Sequence, residues 1–258
     1  MNIGKDILIG KNDEFGVNML SIVVPCYNEE KNLDTLLVRF DRVIDASSME
    51  LIIVDNGSTD NTWQYLEKAK AKYSYLRPVR VEVNVGYGNG ILEGLKHASG
   101  DVLAWTHADL QTDPEDILRA YDLYKTCSID RPKLFIKGYR INRKLGEKFF
   151  SFGMQILASI VLGISLSEVN AQPKLFPRSF FNLMKNPPND FSLDLYVLYL
   201  AKKVGYEIMS LPVNFKNRLH GEAKGGGGSN FTTRIKLIKR TFKYIFELKE
   251  KVLSDKIK

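Results

Sequence analysis

The sequence predicts an α/β fold built on a mainly parallel sheet flanked by helices. Short apolar segments alternate with helical patterns from residue 20 to residue 140, which is the order of a parallel sheet with crossover helices. The apolar segments are short runs, as is typical of buried strands. The chain has 258 residues, of which 44% are hydrophobic and 26% charged. This balance allows one large core and excludes collagen-like, disulfide-scaffold and wholly disordered proteins.

Five strands are predicted in this region. The first ends at Pro25, and the second stops at Asp55-Asn56-Gly57-Ser58, which is a turn sequence. Ligands of parallel sheets bind beyond the carboxyl ends of the strands, so polar residues that follow the strands are the first candidates for a site. The predicted strands span residues 20–25, 50–54, 79–83, 101–106 and 134–137.

Helices are predicted between these strands. The second extends from about residue 60 to 73, and the third from the glycine-rich segment at 86–90 to residue 98. The fourth begins at Pro114, which suits a first helical turn, and ends near residue 125. The first extends to residue 44, because apolar residues recur at helical spacing at Leu33, Leu36, Leu37, Phe40 and Ile44.

The alternation of strands and helices ends after residue 140. Residues 149–166 are uncharged and predict a helix that lies in a membrane interface, packs in the core or spans a membrane. Beyond it we expect a strand at 207–213, a glycine-rich loop at 218–230 and a helix at 232–253. The chain is therefore divided into a leader, one α/β domain and a helical tail, at residues 1–18, 19–230 and 231–258.

The net charge of +7 is concentrated in the tail. Residues 234–258 hold nine Lys or Arg and three Asp or Glu, so the rest of the chain is nearly neutral. Apolar residues at helical spacing make the tail a basic amphipathic helix, which is typical of binding to a membrane surface or a partner. The alternative is a terminal helix docked on the domain. Because the domain lacks a basic groove, we expect no nucleic acid partner.

The two cysteines indicate a reducing compartment. Cys26 and Cys127 form neither a zinc-ligand pattern nor a disulfide framework. The first 18 residues contain charges and no sustained apolar run, so no signal peptide is predicted. We expect a cytoplasmic protein at the cytoplasmic face of a membrane, with peripheral contact.

Asp109 and Gln111 follow the fourth predicted strand and are candidate metal ligands. In an extended segment, alternate residues project to one side. A carboxylate and an amide oxygen so placed suit Mg²⁺ or Mn²⁺, which prefer oxygen ligands. The alternative is a polar loop in which Asp113 caps the next helix.

The glycines at 86–90 follow the third predicted strand and open a helix. Their amides, Gly86 among them, are candidates for approaching a phosphate. The spacing G-x-G-x-G differs from the dinucleotide fingerprint G-x-G-x-x-G, so a Rossmann dehydrogenase is not expected. The alternative is a tight turn.

Taken together, these segments resemble glycosyltransferase family 2, which has the GT-A fold. The resemblance rests on the order and spacing of SIVVPCYNEEKNL, ELIIVDNGSTDNT, NVGYGNG and GDVLAWTHADLQTDP. It is closest to the dolichol-phosphate mannose synthase-like branch, whose D-A-D-L-Q-x-D-P motif corresponds to residues 107–114. Lys137-Gly138-Tyr139-Arg140 resembles the branch's G-S-R segment, and residues 217–224 resemble its R-x-x-G-x-S-K segment.

This resemblance implies an inverting transferase that uses a UDP- or GDP-sugar and Mg²⁺ or Mn²⁺. Its implied metal ligands are Asp109 and Gln111, and its implied phosphate ligands are Arg140, Arg218 and Lys224. Arginine's planar fork suits that task. The residues implied to hold the nucleotide are Pro25, Tyr27, Glu29 and Asp55, with Gly86 and His107 also placed at the donor.

Three positions depart from the family pattern. His107 replaces the first Asp of the motif, which puts donor choice and metal affinity in doubt, although a histidine can donate to a ribose or phosphate. Asn56 replaces the second Asp of the common D-D-G-S, and Ala223 replaces a serine.

The favoured acceptor is a polyprenyl phosphate, and the alternative is a sugar hydroxyl in glycan assembly. A phosphate is already an anion, whereas a hydroxyl requires a base. Asp194 is the candidate base, with Asp190 second, and Asp194 and Arg218 are the residues expected to act in catalysis. Asp194 could instead cap a helix at 195–203. A further alternative is a catalytically lapsed nucleotide-sugar binder.

Overall fold

The computed structural model describes residues 19–127, 133–142, 156, 158–216 and 231–253. In this part of the chain, seven strands form one sheet in the order β3-β2-β1-β4-β6-β5-β7. The strands are β1 (Leu20–Cys26), β2 (Met49–Asn56), β3 (Leu76–Val81), β4 (Val102–Trp105), β5 (Leu134–Arg140), β6 (Lys174–Pro177) and β7 (Glu207–Val213).

The sheet is parallel except at one strand. β6 runs antiparallel to both of its neighbours, β4 and β5. The predicted mainly parallel α/β sheet is therefore confirmed, and β6 was not predicted. It has four residues and begins with a lysine, so neither its length nor its composition distinguishes it in the sequence.

The third strand was predicted with the wrong bounds. It begins at Leu76 and ends at Val81 rather than spanning residues 79–83, and in the described sheet β3 lies at the edge, paired with β2. An edge strand tolerates Pro78 and alternates exposed and covered residues, so the apolar run expected of a buried strand is missing.

The helices described are α1 (Glu30–Asp41), α2 (Thr62–Ala69), α3 (Tyr87–His97), α4 (Pro114–Thr126), α5 (Arg178–Phe181), α6 (Leu193–Lys203) and α7 (Phe231–Leu253). The first two end earlier than predicted, at Asp41 and Ala69, because turns follow them. Asp113 caps α4 by accepting the Glu115 N–H at 3.3 Å, with Pro114 in the first turn. Residues 158–162 are also helical.

Two apolar cores lie on opposite faces of the sheet. Alternate strand residues point to opposite faces, so Ile22 and Ile53 pack with α1, α2 and α4, whereas Val23 and Ile52 pack with α3 and α6. The second core contains an aromatic cluster around Phe176, whose ring lies 5.4 Å from that of Trp105. Full burial of such a side chain contributes about 2–3 kcal/mol.

The last helix, α7, packs on the second core. Ile245 and Leu248 are fully buried, whereas Phe246 is half exposed and Lys239 and Arg240 are exposed. No helix among the described residues is long and apolar enough to cross a membrane. The predicted leader, the glycine-rich loop at 218–230 and most of 149–157 lie outside the described residues.

Candidate active site

The turns after β1 and β2 are bound to each other at the carboxyl edge of the sheet. The Asn28 N–H donates to Ser58 Oγ at 2.9 Å, and Asn28 Oδ1 accepts the Thr59 N–H at 2.8 Å. Asn28 has φ of +56°, a left-handed conformation that asparagine tolerates. These contacts form one rigid rim, beside which Tyr27 and Asp55 lie at adjacent strand ends.

Asp55 offers an unused acceptor in this rim. Its side chain is fully buried, and Oδ1 accepts the Ser58 N–H at 2.9 Å. Oδ2 is buried and has no hydrogen-bond partner in the described part of the chain. A buried polar atom without a partner is costly, so Oδ2 is suited to accept a hydrogen bond from a ligand such as a base or ribose.

The surroundings of Asp55 are acidic. Burial raises the pKa of the Cys26 thiol, and the nearby carboxylates of Glu29, Asp55 and Asp60 raise it further. Glu29 Oε2 accepts the side-chain amide of Asn32 at 2.5 Å. Such carboxylates favour hydrogen-bond donors over phosphates, which is consistent with contact to a base or a ribose rather than to the diphosphate.

A turn, rather than an extended segment, connects Asp109 and Gln111. Leu110 has φ of +59°, and Asp109 Oδ1 accepts the Gln111 N–H at 3.2 Å. The predicted extended conformation is therefore wrong, because the aspartate closes an Asx turn on its own backbone. Asp109 is buried, and the Gln111 side-chain amide donates to the Lys216 carbonyl at 3.1 Å.

The chemistry of Asp109 and Gln111 fits a hard divalent cation. Both supply oxygen, and the described residues contain no group of three or more His, Cys, Asp or Glu that could hold a metal ion. A cation here would take its other ligands from phosphate and water, as Mg²⁺ does with bound phosphates.

Gly86 packs against a loop. Its N–H donates to Asn84 Oδ1 at 3.0 Å, and a Cβ atom there would lie 2.3 Å from the Asn189 carbonyl oxygen. Gly88 makes a similar approach to Pro188 and Asp190. These glycines therefore allow two loops to touch, and a role of Gly86 at a phosphate stays a prediction.

Tyr87 connects the two halves of the site. Its ring stacks on Phe191 at 4.8 Å and lies 5.5 Å from the His107 ring. Burial raises the pKa of Tyr87, and Asp194 and Asp109 raise it further. Tyr87 thus lies near both the candidate metal ligand and the candidate base, and its place in the glycine segment was its only signal in the sequence.

Asp194 is buried in the first turn of α6 and is held in an ion pair. Lys174 Nζ lies 2.5 Å from Asp194 Oδ1, which also accepts the Gln172 side-chain amide at 3.2 Å. Because α6 begins at Leu193, Asp194 lies within the helix, and the predicted role as a cap of residues 195–203 is wrong. Gln172 and Lys174 were not predicted as site residues.

Arg140 lies at the end of β5 and pairs with Glu168. The Arg140 Nε to Glu168 Oε2 distance is 2.7 Å, and the guanidinium lies 5.4 Å from the Phe215 ring centroid. Arg218 and Lys224 fall outside the described residues. The segment that leads to them is fixed at the site, because the Lys216 N–H donates to the Gln111 carbonyl at 2.9 Å.

Lys137, also on β5, is buried next to Lys174. Burial and, to a lesser degree, the positive charge of Lys174 lower the pKa of Lys137 to about 8. Its ammonium has no hydrogen-bond partner among the residues described. In the sequence, Lys137 stands out only as part of the motif at 137–140, because the pairing of β5 with β6 is a long-range contact.

Comparisons with known proteins agree with these motifs. The sequence model described as "Glycosyl transferase family 2" matches residues 21–163. A dolichol-phosphate mannosyltransferase of Pyrococcus furiosus is 28% identical over 219 residues, covering 82% of this chain and 60% of that protein. An undecaprenyl-phosphate 4-deoxy-4-formamido-L-arabinose transferase of Edwardsiella ictaluri is also 28% identical, covering 81% of this chain and 64% of that protein. The chain thus spans less than two thirds of the length of these relatives.

Solved structures show the same fold. Glucosyl-3-phosphoglycerate synthase from Mycobacterium tuberculosis in complex with UDP matches with a TM-score of 0.69 and 18% identity, over 90% of this chain and 80% of that one. The same enzyme in complex with Mn²⁺, UDP and glucosyl-3-phosphoglycerate matches with a TM-score of 0.67 and 18% identity, over the same shares of the two chains. A mannosyltransferase from Pyrobaculum calidifontis in complex with GDP-Man and Mn²⁺ matches with a TM-score of 0.57 and 19% identity, over 78% of this chain and 56% of that one. At these identities the likeness concerns the fold.

Proposed function

Because the chain belongs to glycosyltransferase family 2, we propose that it transfers a sugar, with inversion, from a nucleoside diphosphate sugar to the phosphate of a polyprenyl lipid. The family resemblance predicted from the motifs is confirmed. Two relatives named for transfer to dolichol phosphate and undecaprenyl phosphate support the acceptor. The donor is a UDP- or GDP-sugar, as both nucleotides occur in similar structures.

The donor half of the site lies on β1, β2 and β4. Asp55 Oδ2 accepts from the base or ribose, and Pro25, Tyr27, Glu29 and His107 line the same edge. Asp109 and Gln111 would hold Mg²⁺ or Mn²⁺, which neutralises charge on the diphosphate. Arg140, Arg218 and Lys224 face the phosphates of donor or acceptor.

The state of Asp194 is the observation that carries the choice of acceptor. A sugar hydroxyl needs a carboxylate base, but this carboxylate already accepts from the Lys174 ammonium and the Gln172 amide. Two donors are thus already directed at Asp194 Oδ1, which leaves that atom poorly placed to meet a substrate hydroxyl. A phosphate monoester is ionised at neutral pH, so it attacks without a base. The arrangement therefore favours a phosphate acceptor.

The reaction balances without a proton transfer. An oxygen of the acceptor phosphate attacks the anomeric carbon from the face opposite the nucleoside diphosphate. The bond from that carbon to the diphosphate oxygen breaks, and its electron pair leaves with the nucleotide. Positive charge develops on the sugar in an oxocarbenium-like transition state, which requires the leaving group's charge to be stabilised.

Incubation of nucleotide sugars with polyprenyl phosphate, polyprenol or water, with and without Mn²⁺, tests this function. We expect a glycolipid only from the phosphate acceptor and only with the cation. Transfer to polyprenol or to a sugar hydroxyl would replace the proposed acceptor, and donor binding without turnover on any acceptor would indicate a lapsed binder. Asp109→Asn should abolish transfer and cation-dependent nucleotide binding, and retained activity would contradict the metal assignment.

We also infer peripheral contact with the cytoplasmic face of a membrane through α7. Its Ile245 and Leu248 are buried against the domain, so contact would come from exposed Lys239 and Arg240 together with Phe246. Lysine and arginine near an anionic surface each contribute about 1 kcal/mol. Flotation with anionic and neutral vesicles tests this, and equal partitioning to both would contradict the charge-based contact.

A further inference from the structure

Two buried lysines lie side by side at the carboxyl edge of the sheet. Lys137 of β5 is directly opposite Lys174 of β6 in the antiparallel register. Opposite residues of an antiparallel pair point to the same face and are close neighbours. Lys137 is 3% exposed and Lys174 is fully buried. Like charges in this arrangement repel, so the pair requires negative charge nearby.

Lys174 has its full set of partners. Its ammonium donates to Asp194 Oδ1 at 2.5 Å, to the Val169 carbonyl at 3.0 Å and to the Ala171 carbonyl at 3.3 Å. An ammonium has three donors, so none is left over. The single negative charge of Asp194 compensates this lysine.

Lys137 has no such partner. Its Nζ atom is buried without a hydrogen bond in the described part of the chain. The other carboxylate of this region, Glu168, is paired with Arg140 at 2.7 Å. An isolated buried ammonium is costly unless an anion pairs with it. The site therefore carries one positive charge that an incoming anion can neutralise.

The pair lies beside the strand that leads to the candidate metal ligand. In the sheet, Lys174 is opposite Trp105, the last residue of β4, and the chain continues from there to Asp109. Gln172 donates to both Tyr87 Oη and Asp194, and its own Oε1 is buried without a partner. Unsatisfied polar atoms thus cluster between β4 and β5, whereas Asp55 lies on β2.

We propose that Lys137 supplies the uncompensated charge of a buried subsite for the phosphate of the acceptor, beside the Lys174–Asp194 ion pair. The inference rests on the proposed function, since it assumes an anionic acceptor. Lysine binds phosphate as a compact point charge. An acceptor that lacks the phosphate leaves Lys137 unpaired, and such an unpaired buried group rejects the wrong substrate strongly. Lys137 is thus a specificity-determining residue.

Lys137→Met tests the subsite, because methionine keeps the length of the side chain and removes its charge. Lys133→Met is the matched control, since Lys133 is exposed at the amino end of the same strand. We expect Lys137→Met to raise the KM for polyprenyl phosphate at least tenfold while the KM for the donor stays unchanged. Lys137→Arg should recover part of the loss. An unchanged acceptor KM, or a change in the donor KM alone, would overturn the proposal.

Equilibrium binding separates the subsite from the proposed function. Titration calorimetry with a short-chain prenyl phosphate, prenyl alcohol and inorganic phosphate requires no turnover. We expect the wild type and Lys133→Met to bind the prenyl phosphate more tightly than inorganic phosphate, with Lys137→Met losing both and no protein binding the alcohol. Binding of inorganic phosphate without binding of the prenyl phosphate would show that the subsite takes free phosphate and not a lipid phosphate. Equal binding by Lys137→Met would overturn the subsite. If prenyl phosphate binds but is not glycosylated, only the proposed function fails.

Discussion

Lys174 and Asp194 form an ion pair in the interior of the domain, with Nζ and Oδ1 2.5 Å apart and side chains 0% and 3% exposed. The pair joins the first residue of β6 to the first turn of α6. Since β6 runs antiparallel to both of its neighbours in the described sheet, the contact ties the reversed strand to α6.

Asp194→Asn is expected to destabilise the protein more than it alters the chemistry. Removal of one partner leaves the Lys174 charge buried, which costs about 3–5 kcal/mol of unfolding free energy. Urea unfolding measures this, and the exposed Asp122→Asn, which breaks only a surface pair with Lys125, should cost less than about 1 kcal/mol. If Asp194 were instead the base, the protein that still folds would lose kcat almost completely.

Asp55→Asn is expected to weaken nucleotide binding. Asparagine keeps the acceptor for the Ser58 N–H and replaces Oδ2, the oxygen without a partner, with an amide that donates. We expect at least a tenfold loss of affinity for UDP or GDP by calorimetry, both with and without Mn²⁺. The control is Asp45→Asn, in the exposed turn before β2, which should bind as the wild type. Unchanged binding by Asp55→Asn would remove Asp55 from the nucleotide site.

Local patterns predicted most of the sheet and the edge that holds the donor residues. The strands β1, β2 and β7 were placed because their apolar runs or turn signals are contained in the segments themselves. β6 has no such signal, since its side chains include a buried lysine whose charge is compensated by Asp194, 20 residues away. The Lys137–Lys174 pair likewise depends on strand order, which no local pattern encodes.

The turn between Asp109 and Gln111 illustrates another limit. A common direction of the two side chains was expected from alternation in an extended segment, whereas the segment folds into a turn with a left-handed Leu110 and an Asp109 Oδ1 that accepts the Gln111 N–H. The predicted conformation was wrong, because a non-glycine residue with positive φ is rare and cannot be read from its type. A metal site shared by Asp109 and Gln111 stays a prediction.

Gly88→Ala is expected to disrupt the loop that faces α3. A Cβ atom would lie 2.6 Å from the Pro188 carbonyl oxygen and 2.7 Å from that of Asp190. The backbone must then shift, which lowers the unfolding free energy by about 1–3 kcal/mol. The shift moves the loop that carries Phe191 away from Tyr87. We expect lower kcat in a folded protein. In Gly205→Ala the added Cβ has no atom within 4 Å, and only the left-handed backbone is strained. The variant should therefore lose about 1 kcal/mol of unfolding free energy without loss of kcat.

Reversing the charges of the Arg240–Asp190 pair is expected to show that α7 holds the loop that carries Asp190 and Phe191. Arg240 Nη2 lies 2.6 Å from Asp190 Oδ2, and both side chains are partly exposed, so stability should change by less than about 1 kcal/mol. Arg240→Glu should lower kcat with little change in the donor KM, and Asp190→Arg combined with Arg240→Asp should restore part of it. Lys249→Glu, at an exposed position of the same helix and with the same change of charge, is the control. An equal loss from Lys249→Glu would point to net charge rather than to the pair.

Lys137→Met is expected to stabilise the unliganded protein in a pH-dependent manner. Burial lowers the pKa of Lys137 from 10.5 to about 8, so the unfolded chain binds more protons than the folded one between pH 8 and 10.5, and wild-type stability rises with pH in that range. Below pH 8 both states are protonated, and the buried charge costs on the order of 3 kcal/mol. The methionine variant avoids this cost, so its unfolding free energy should exceed that of the wild type at pH 7, and the advantage should shrink towards pH 10. Urea unfolding from pH 6.5 to 10, with Lys133→Met as control, measures the difference. An advantage that is absent at pH 7, or that grows with pH, would show that the Lys137 ammonium is already compensated in the folded protein.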